Sequence, residues 1–343
     1  MTHLQKRRLR SFLAVWIFAL FSSTLLQKDR SVSNLVTNGA ISLALTFVIA
    51  AVQIRLLPRL RGASLVKTVA LSGLAYLVAL VFSVLVSGWA LMALEARALY
   101  TPRMKEVATG VFLTREGQEG LAYSYCFILF VTFSVELVRR IGPGRILNWL
   151  SGRYRNPKEE RRVFLFIDLS GSTPLAEALG SVRFSAFLRD FFHGLTEPVD
   201  ETDGEIVSYV GDEAIISWPE TKGLERAAAL RCFLLFREKM EAEASHFVKE
   251  YGEAPRYKAA IHLGPVVATE VGQRRTDLVL HGDALNTTAR ILGECGSLGA
   301  DLLISEATAQ RFPAVLGVRM EPVGAVALRG KGEPLPLVKA VVG

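Results

Sequence analysis

An aspartate lies at the end of a nearly continuous apolar run in the C-terminal half of the chain. The run, RVFLFIDLSGSTPLAEALG at residues 162–180, predicts a strand that ends near Asp168 and a helix that begins shortly after it. A carboxylate at a strand end beside small residues is suited to hold a divalent cation. Asp168 is therefore a candidate metal ligand. The alternative, that Asp168 only caps a turn, stays open on this run alone.

The residues after this aspartate are suited to meet an anion. Ser170, Gly171 and Ser172 are small, so backbone N–H groups near a helix N-terminus can face phosphate oxygens. Ser172 or Thr173 is expected to cap the helix, and Pro174 fits its first turn. The segment therefore predicts a phosphate-binding loop beside a cation site.

A second aspartate lies at a predicted hairpin turn. In GEIVSYVGDEAIISW, residues 204–218, two apolar strands flank the turn at Gly211 and Asp212. Taken alone, such an aspartate is more often a turn residue than a ligand. A strand-end Asp, a helix and then an acidic hairpin tip is, however, how a split βαβ sheet brings two carboxylates together. Asp168 and Asp212 would then suit a pair of metal ions.

Four motifs, taken in their order and spacing, carry a family resemblance. They are FIDLSGST at Phe166, VGDE at Val210, AAIHLGPVVATEVG at Ala259 and HGDALNTTARI at His281. Residues 162–343 resemble the class III adenylate/guanylate cyclase catalytic domain, and the resemblance covers the whole C-terminal half. The related GGDEF diguanylate cyclases fit less well, because Val210 replaces their first glycine and Ala214 their phenylalanine.

The resemblance implies a C-terminal α/β ferredoxin-like domain that acts as a homodimer, with each active site shared between two chains. Asp168 and Asp212 match the family's metal-binding aspartates, and Leu169 would add a backbone ligand, so two Mg²⁺ or Mn²⁺ ions per active site are expected. Asn286 and Arg290, at i and i+4 in NTTAR, match the pair that orients the ribose and stabilises the α-phosphate in the transition state. They would come from the partner chain. The alternative for NTTAR is an ordinary surface helix with a solvated arginine.

The same resemblance implies groups that bind the triphosphate. LRGKGEP places Arg329 where the family has a phosphate-binding lysine, and Lys331 is a neighbouring candidate. The expected phosphate-binding residues are Ser170, Gly171, Ser172, Thr173, Arg329 and Lys331. The implied reaction converts a nucleoside triphosphate, ATP foremost, into a 3′,5′-cyclic monophosphate and pyrophosphate.

The positions that read the base depart from the family pattern. In adenylate cyclases of this family a lysine lies where this chain has Ser208, and an Asp or Thr lies where it has Val279. Ser208 can form hydrogen bonds, whereas Val279 cannot. Asp277 would share a strand face with Val279 and would replace it if the register slipped. Three hypotheses stay open: an adenylate cyclase with an altered base pocket, a cyclase for guanine or a pyrimidine, and a receptor that binds nucleotide without turnover.

The N-terminal part of the chain predicts a membrane domain. Half of the chain is hydrophobic, which is high for a soluble protein. Stretches that approach the length of a membrane span cover residues 12–26, 35–57, 66–94 and 121–138. Basic flanking segments favour four spans at the inner (plasma) membrane, with both termini and the catalytic domain in the cytoplasm. A cleaved signal peptide over residues 1–24 is the alternative.

The expected organisation is therefore an α-helical transmembrane domain of four spans at residues 1–138, a linker at 139–161 and the cyclase domain at 162–343. The formal charge of +7 comes largely from basic residues beside the apolar blocks, so no nucleic-acid partner is expected. The three cysteines are scattered, which predicts neither a disulfide framework nor a zinc site. A reducing cytoplasm fits the catalytic half.

Overall fold

The computed structural model describes residues 64–96, 112–141, 151–272 and 277–342 of the chain. The chain divides into two compact units, Met1–Ile146 and Leu147–Gly343. The second unit contains all of the motifs that predict chemistry.

Two helices of the first unit are described, α1 at Leu65–Ala96 and α2 at Arg115–Ile141. Tyr76 and Leu80 of α1 are buried in one cluster with Ile128 of α2. The two helices coincide with the third and fourth predicted spans, whereas the first two predicted spans lie outside the described residues. Within the described ranges, no helix combines the length and the apolar character that crossing a membrane requires. The predicted four-span membrane domain is therefore not supported.

Eight strands form one mixed sheet in the second unit. They are β1 Lys158–Leu169, β2 Glu205–Val210, β3 Glu213–Pro219, β4 Tyr257–Val271, β5 Asp277–His281, β6 Leu302–Ser305, β7 Val318–Val326 and β8 Leu335–Val342. The sheet order is β2-β3-β1-β4-β6-β8-β7, with β5 paired to β4. The β4 and β6 strands pair in parallel, and the other pairs are antiparallel.

Helices cover both faces of this sheet. They are α3 Ser172–His193, α4 Thr196–Glu201, α5 Glu220–Leu224, α6 Ala228–Tyr251, α7 Asp283–Glu294 and α8 Glu306–Ala309. Leu165 and Ile167 of β1 belong to the core that α3 and α6 share, whereas Phe164 and Phe166 belong to the core under α7. Side chains alternate along a strand. Asp168 therefore continues the series of Phe164 and Phe166 and lies on the α7 side of the sheet.

The first six elements of the second unit follow the order β1, α3, β2, β3, α6 and β4, apart from its short helices. Their strands lie in the order β2-β3-β1-β4, and all three neighbouring pairs are antiparallel. This is the arrangement of a ferredoxin-like sheet. The predicted ferredoxin-like core is confirmed, and the remaining strands extend it on the β4 side.

The first strand begins earlier than hydrophobicity predicts. The apolar run starts at Arg162, but β1 starts at Lys158, and Lys158–Arg161 pair with β4 from Ala268 to Pro265. These four residues are charged and mostly exposed, so no apolar pattern marks them as a strand. The segment predicted as a linker, residues 139–161, therefore contributes its last residues to the sheet.

A buried cation joins three strands at the N-terminal end of β1. Arg162 is only 2% exposed, and its guanidinium contacts Glu160 at 2.8 Å, Glu205 of β2 at 2.5 Å and Ser217 of β3 at 3.1 Å. A buried charge is tolerated when it is paired and hydrogen-bonded in this way. The network fixes the positions of β1, β2 and β3 relative to one another.

Trp218 of β3 fills the core that α3 and α6 share. The side chain is fully buried, and its indole N–H donates to the carbonyl oxygen of Thr202 at 2.9 Å. A buried indole usually finds such an acceptor. Trp218 therefore ties β3 to the segment that follows α4.

Candidate active site

The two aspartates predicted to bind metal lie close together. Asp168 is the penultimate residue of β1, and Asp212 occupies the turn between β2 and β3, the strand beside β1. The backbone N–H of Leu169 donates to the carbonyl oxygen of Asp212 at 3.4 Å. Neighbouring sheet positions are also charged, because Asp168 pairs with Glu213 of β3 on one side and with Lys258 of β4 on the other.

Burial and negative neighbours favour protonation of Asp168 and Glu213. The pKa of Asp168 is raised, chiefly by burial and also by Asp212, although the ammonium of Lys258 lies 3.2 Å from its carboxylate and acts in the opposite direction. Burial, with further contributions from Asp168 and Asp212, raises the pKa of Glu213 to about 7. Asp168, Asp212 and Glu213 bring three carboxylates to a site with one ammonium, that of Lys258, so the site has an excess of negative charge when all are ionised.

The groups at this site fit a hard divalent cation. Carboxylate and carbonyl oxygens are the ligands that Mg²⁺ and Mn²⁺ prefer, and Asp168, Asp212 and the backbone of Leu169 form the predicted set. The ammonium of Lys258 already gives Asp168 a cationic neighbour. In the part of the chain that the structure describes, no cluster of three or more His, Cys, Asp or Glu side chains is arranged to hold a metal. Water or phosphate oxygens would therefore complete the coordination.

The loop after β1 differs from its prediction in two respects. The backbone N–H of Ser170 donates to the carbonyl oxygen of Arg256 at 2.7 Å, so it is already engaged. The N-cap of α3 is Gly171, with φ of 72° and no side-chain cap bond, so the predicted cap at Ser172 or Thr173 is wrong. Glycine adopts the left-handed conformation that this tight strand-to-helix turn uses. The first N–H groups of the helix remain suited to an anion, since they have no acceptor within it.

Arg256 is a cation that the sequence patterns did not reveal. It is exposed, and its guanidinium lies beside Gly171, 3.8 Å from where a Cβ would be. Its carbonyl oxygen also holds the loop through Ser170. The predicted phosphate-binding loop therefore has a positive side chain next to it.

Helix α7 carries the predicted Asn286 and Arg290 one turn apart. Asn286 is exposed and Arg290 is partly buried. The guanidinium of Arg290 donates through Nη1 to the carbonyl oxygen of Gly330 at 3.2 Å. The loop between β7 and β8 therefore contacts this arginine and limits its freedom.

The two candidate phosphate cations of the β7–β8 loop have different surroundings. Arg329 is exposed, and no described residue pairs with it. Lys331 forms an ion pair with Asp283, the first residue of α7, and this pair holds the pKa of Asp283 below its ordinary value. Burial lowers the pKa of nearby His262 to about 4, with Lys331 acting in the same direction. The imidazole is therefore neutral under physiological conditions.

Two sets of candidate site residues lie along β4: the carboxylate group of Asp168, Asp212 and Glu213, and the residues of α7. Lys258 pairs with Asp168. His262, whose pKa is influenced by the charges of Lys331 and Asp283, lies four residues further along the strand. Four residues of a strand span about 13 Å. The pair of Asp168 with Lys258 and the first turn of α7, which packs on Gly264, thus lie at different positions along β4.

The three predicted base-reading residues lie on two strands. Ser208 of β2 pairs with Ile215, after a register shift between Ile206 and Ser208. Val279 of β5 pairs with Thr269 of β4, and Asp277 pairs with Val271. The β4–β5 register has no slip that would bring Asp277 to the place of Val279.

Lys258 and Glu213 lie beside the two aspartates, but no sequence motif marks them as site residues. Lys258 precedes an apolar strand and reads there as an ordinary boundary charge. Its role becomes visible only through the pairing of β1 with β4, which joins residues 90 positions apart as Asp168 and Lys258. The one available signal for Glu213 was its place directly after Asp212 in VGDE.

A split βαβ sheet with adjacent acidic groups at the ends of neighbouring strands defines a class of domain suited to phosphate chemistry with divalent cations. The family model for the adenylate and guanylate cyclase catalytic domain matches residues 155–337, and the chain belongs to this family. The family resemblance inferred from the motifs is thereby confirmed.

Individual proteins named as cyclases are also similar to the chain in sequence. The chain is 39% identical to adenylate cyclase 2 of Rhizobium meliloti (strain 1021) over 213 residues, which cover 62% of this chain and 59% of that protein. It is 25% identical to guanylate cyclase 2G of Mus musculus over 191 residues, 54% of this chain and 17% of that protein. The chain therefore spans less than two thirds of the length of these relatives.

A solved structure shares the fold. The structure of a bacterial light-regulated adenylyl cyclase superposes with a TM-score of 0.53 at 17% sequence identity and covers 64% of each chain. At this identity the likeness concerns the fold alone.

Proposed function

We propose that the chain is a nucleotide cyclase that converts ATP into 3′,5′-cyclic AMP and pyrophosphate. The observation that carries the proposal is the placement of Asp168, at the end of β1, next to Asp212 in the β2–β3 turn of a cyclase-family sheet. The 39% identity to an adenylate cyclase supports adenine as the base. The alternative of a receptor without turnover is less favoured, because the residues expected for chemistry are all present.

The side chains of this site have distinct tasks in the proposed reaction. Asp168 and Asp212, with the backbone of Leu169, would hold two Mg²⁺ or Mn²⁺ ions, which would supply positive charge to offset that of the phosphates and to favour deprotonation of the ribose 3′-hydroxyl. N–H groups at the start of α3 and nearby cations bind phosphate oxygens. Arg290 stabilises the negative charge that develops on the α-phosphate.

The bonds change in line at the α-phosphorus. The 3′-oxygen loses its proton and forms a bond to the α-phosphorus, while the bond from that phosphorus to the bridging oxygen of pyrophosphate breaks. Positioning and electrostatic stabilisation supply most of the acceleration in such transfers. Asn286 is assigned to the ribose, which it would orient for this attack.

We assign the complete site to a homodimer. The resemblance to class III cyclases, whose active sites are shared between two chains, supports this assignment. A second copy of the chain would supply Asn286 and Arg290 to the carboxylates of the first. A two-fold interface would create two such sites at once.

A cyclase for another base is the second candidate. Ser208 and Val279 occupy the expected base-reading positions, and Val279 has no hydrogen-bonding group. A site that lacks a required polar partner discriminates poorly between bases. The likeness to a guanylate cyclase supports GTP as an alternative substrate.

One experiment tests the proposed reaction and its base. The purified chain is incubated separately with each of the four ribonucleoside triphosphates and Mn²⁺, and the products are identified by mass spectrometry. The matched control is Asp212→Asn, which removes one charge at constant size. Cyclic AMP made by the unaltered chain but not by Asp212→Asn supports the proposal, and a different cyclic nucleotide supports the second candidate. If no triphosphate gives a cyclic product, the proposed reaction is wrong and the receptor without turnover is favoured.

The location of the chain stays a prediction from the sequence. Hydropathy and basic flanks favour attachment to the inner (plasma) membrane with a cytoplasmic catalytic domain. Extraction of membranes with alkaline carbonate tests this location, because an integral protein stays in the pellet while a peripheral one is released. Recovery of the full chain in the soluble fraction would contradict it.

A further inference from the structure

The loop between β7 and β8 is tied to α7 at two points. Lys331 pairs with the carboxylate of Asp283 in the first turn of α7, and the carbonyl of Gly330 accepts a hydrogen bond from Arg290 at 3.2 Å. Leu328, only 3% exposed, anchors the start of the loop in the core under α7. The N–H of Lys331 donates back to the carbonyl of Leu328 at 3.0 Å, which closes the segment into a turn.

The spacing of residues on α7 places both contacts on one helix face. Asp283, Thr287 and Arg290 are related as i, i+4 and i+7, so they follow one another along about 10 Å of the helix. The hydroxyl of Thr287 donates to the Asp283 carboxylate at 3.2 Å and holds it from the helix side. Two adjacent loop residues, Gly330 and Lys331, are therefore connected to helix positions two turns apart through the long side chains of Arg290 and Lys331.

The side of this arrangement nearest the sheet is fixed as well. The Nδ1 atom of His262 lies 2.8 Å from the hydroxyl of Ser305, which in turn lies 2.7 Å from the hydroxyl of Thr308. The imidazole is thus held in place, and because it is neutral it does not compete with Lys331 for Asp283.

We infer that Asp283 and Lys331 form a latch that positions Arg290 for catalysis. By holding Lys331, Asp283 fixes the adjacent Gly330, whose carbonyl oxygen then orients the guanidinium of Arg290. Lys331 is in this view a positioning residue, and Arg329, which is exposed and has no described partner, is the loop cation left for phosphate. The inference rests on the proposed cyclase function, since Arg290 acts in that reaction.

Steady-state kinetics with Mn²⁺ and ATP test the latch in the full chain. Lys331→Met and Asp283→Asn are each expected to lower kcat by about tenfold to a hundredfold, because small displacements of a catalytic group are costly, and to change KM by less than about threefold. Lys331→Arg, which keeps the charge opposite Asp283, should retain most of kcat. Arg329→Met should instead raise KM.

Combination with Arg290→Ala separates positioning from a general loss of structure. In the Arg290→Ala background, Lys331→Met is expected to lower kcat by less than about twofold, because the group it positions is gone. Two results would overturn the latch: a Lys331→Met effect that multiplies fully with that of Arg290→Ala, or a Lys331→Met variant with raised KM and unchanged kcat, which would make Lys331 a phosphate ligand.

Hydrogen–deuterium exchange gives a readout that does not need activity. In Lys331→Met and Asp283→Asn, the peptide that contains residues 328–331 should exchange faster than in the unaltered chain, and in Arg329→Met it should not. If this peptide exchanges at an unchanged rate in both Lys331→Met and Asp283→Asn, the inference is wrong. A chain that makes no cyclic product from any triphosphate would instead refute the proposed function, while the exchange data would still report on the latch.

Discussion

At the scale of residues, Asp212 and Arg290 have tasks that two measurements can separate. Asp212→Asn should abolish Mn²⁺ binding along with cyclase activity, because a neutral amide replaces a charged ligand. Arg290→Ala should leave Mn²⁺ binding intact and lower kcat by about 10² to 10³, as expected for a lost transition-state donor. Mn²⁺ titration followed by electron paramagnetic resonance, together with kinetics, tests both. Normal Mn²⁺ binding by Asp212→Asn would remove Asp212 from the metal site.

The raised pKa of Glu213 makes the free energy of unfolding depend on pH. Its pKa is about 7 in the folded chain against an ordinary 4.5, so between these values the folded state keeps a proton that the unfolded state has released. With metal removed by EDTA, the free energy of unfolding should therefore fall as pH rises through this window. Glu213→Gln should flatten that part of the curve.

Urea unfolding at several pH values measures this slope. The matched control is Glu177→Gln, which changes an exposed glutamate of α3 and should keep the slope of the unaltered chain. If Glu213→Gln and Glu177→Gln give the same pH dependence, the burial of Glu213 beside Asp168 and Asp212 does not control the stability of the site.

The Arg162 network offers a second residue-scale comparison. Arg162→Met should lower the free energy of unfolding by about 3 kcal/mol, because it leaves Glu160 and Glu205 without their buried partner. The neighbouring Arg161 is half-exposed and pairs with Glu220, so Arg161→Met should change the same quantity by less than about 1 kcal/mol. Chemical denaturation compares the two, and equal effects would show that the buried pairs of Arg162 stabilise the fold no more than the exposed pair of Arg161.

At the scale of elements, the junction between β5 and α7 determines where Asn286 and Arg290 lie. A Cβ at Gly282 would approach the carbonyl oxygen of Pro265 to 2.8 Å and the Cα of Val266 to 3.0 Å. Gly282→Ala should therefore destabilise the chain by about 1–3 kcal/mol and displace α7. Thermal unfolding and kcat measure the two effects.

Gly293 in the same helix provides the control for that change. A Cβ there would meet nothing within 4 Å, and alanine favours a helix over glycine by up to about 1 kcal/mol. Gly293→Ala should thus be neutral or stabilising. A destabilisation by Gly293→Ala as large as that by Gly282→Ala would point to the helix itself instead of the junction.

Elements with a local signature could be predicted from the sequence. The apolar run before Asp168, the turn at Gly211 and Asp212 and the strand from Ala259 all appear where the patterns placed them. Features that depend on pairing could not. The start of β1 at Lys158 is charged, and its strand character comes only from its pairing with β4. The N-cap at Gly171 was missed because side-chain preferences favoured Ser172 over a glycine in a left-handed turn.

Ion pairs between residues far apart in the sequence could not be predicted within the site either. The aspartates were found because strand-end acids have a recognisable context, whereas the latch joins Asp283 to a lysine 48 residues later. Nothing local distinguishes Lys331 from Arg329 as the phosphate cation. In the proposed latch, the ion pair of Lys331 with Asp283 makes that distinction.

At the scale of the whole molecule, the proposed homodimer with shared sites predicts that two defective chains can restore activity together. Alone, Asp168→Ala should be inactive and Arg290→Ala should keep at most about a hundredth of the activity. Mixed in equal amounts they should recover roughly a quarter of the activity, since half of the dimers are mixed and each mixed dimer keeps one intact site of two. Cyclic AMP production by the co-expressed chains measures the recovery. Activity no higher than that of the two chains assayed apart would place the complete site within one chain.

The position of Trp218 gives the catalytic unit a built-in optical signal. The other three tryptophans of the chain, Trp16, Trp89 and Trp149, all precede β1, whereas Trp218 is enclosed in the core beneath α3 and α6. After replacement of the other three by phenylalanine, the remaining fluorescence would emit at short wavelength and resist quenching by iodide. A red shift would then report the loosening of this core alone, whatever happens in the N-terminal part of the chain.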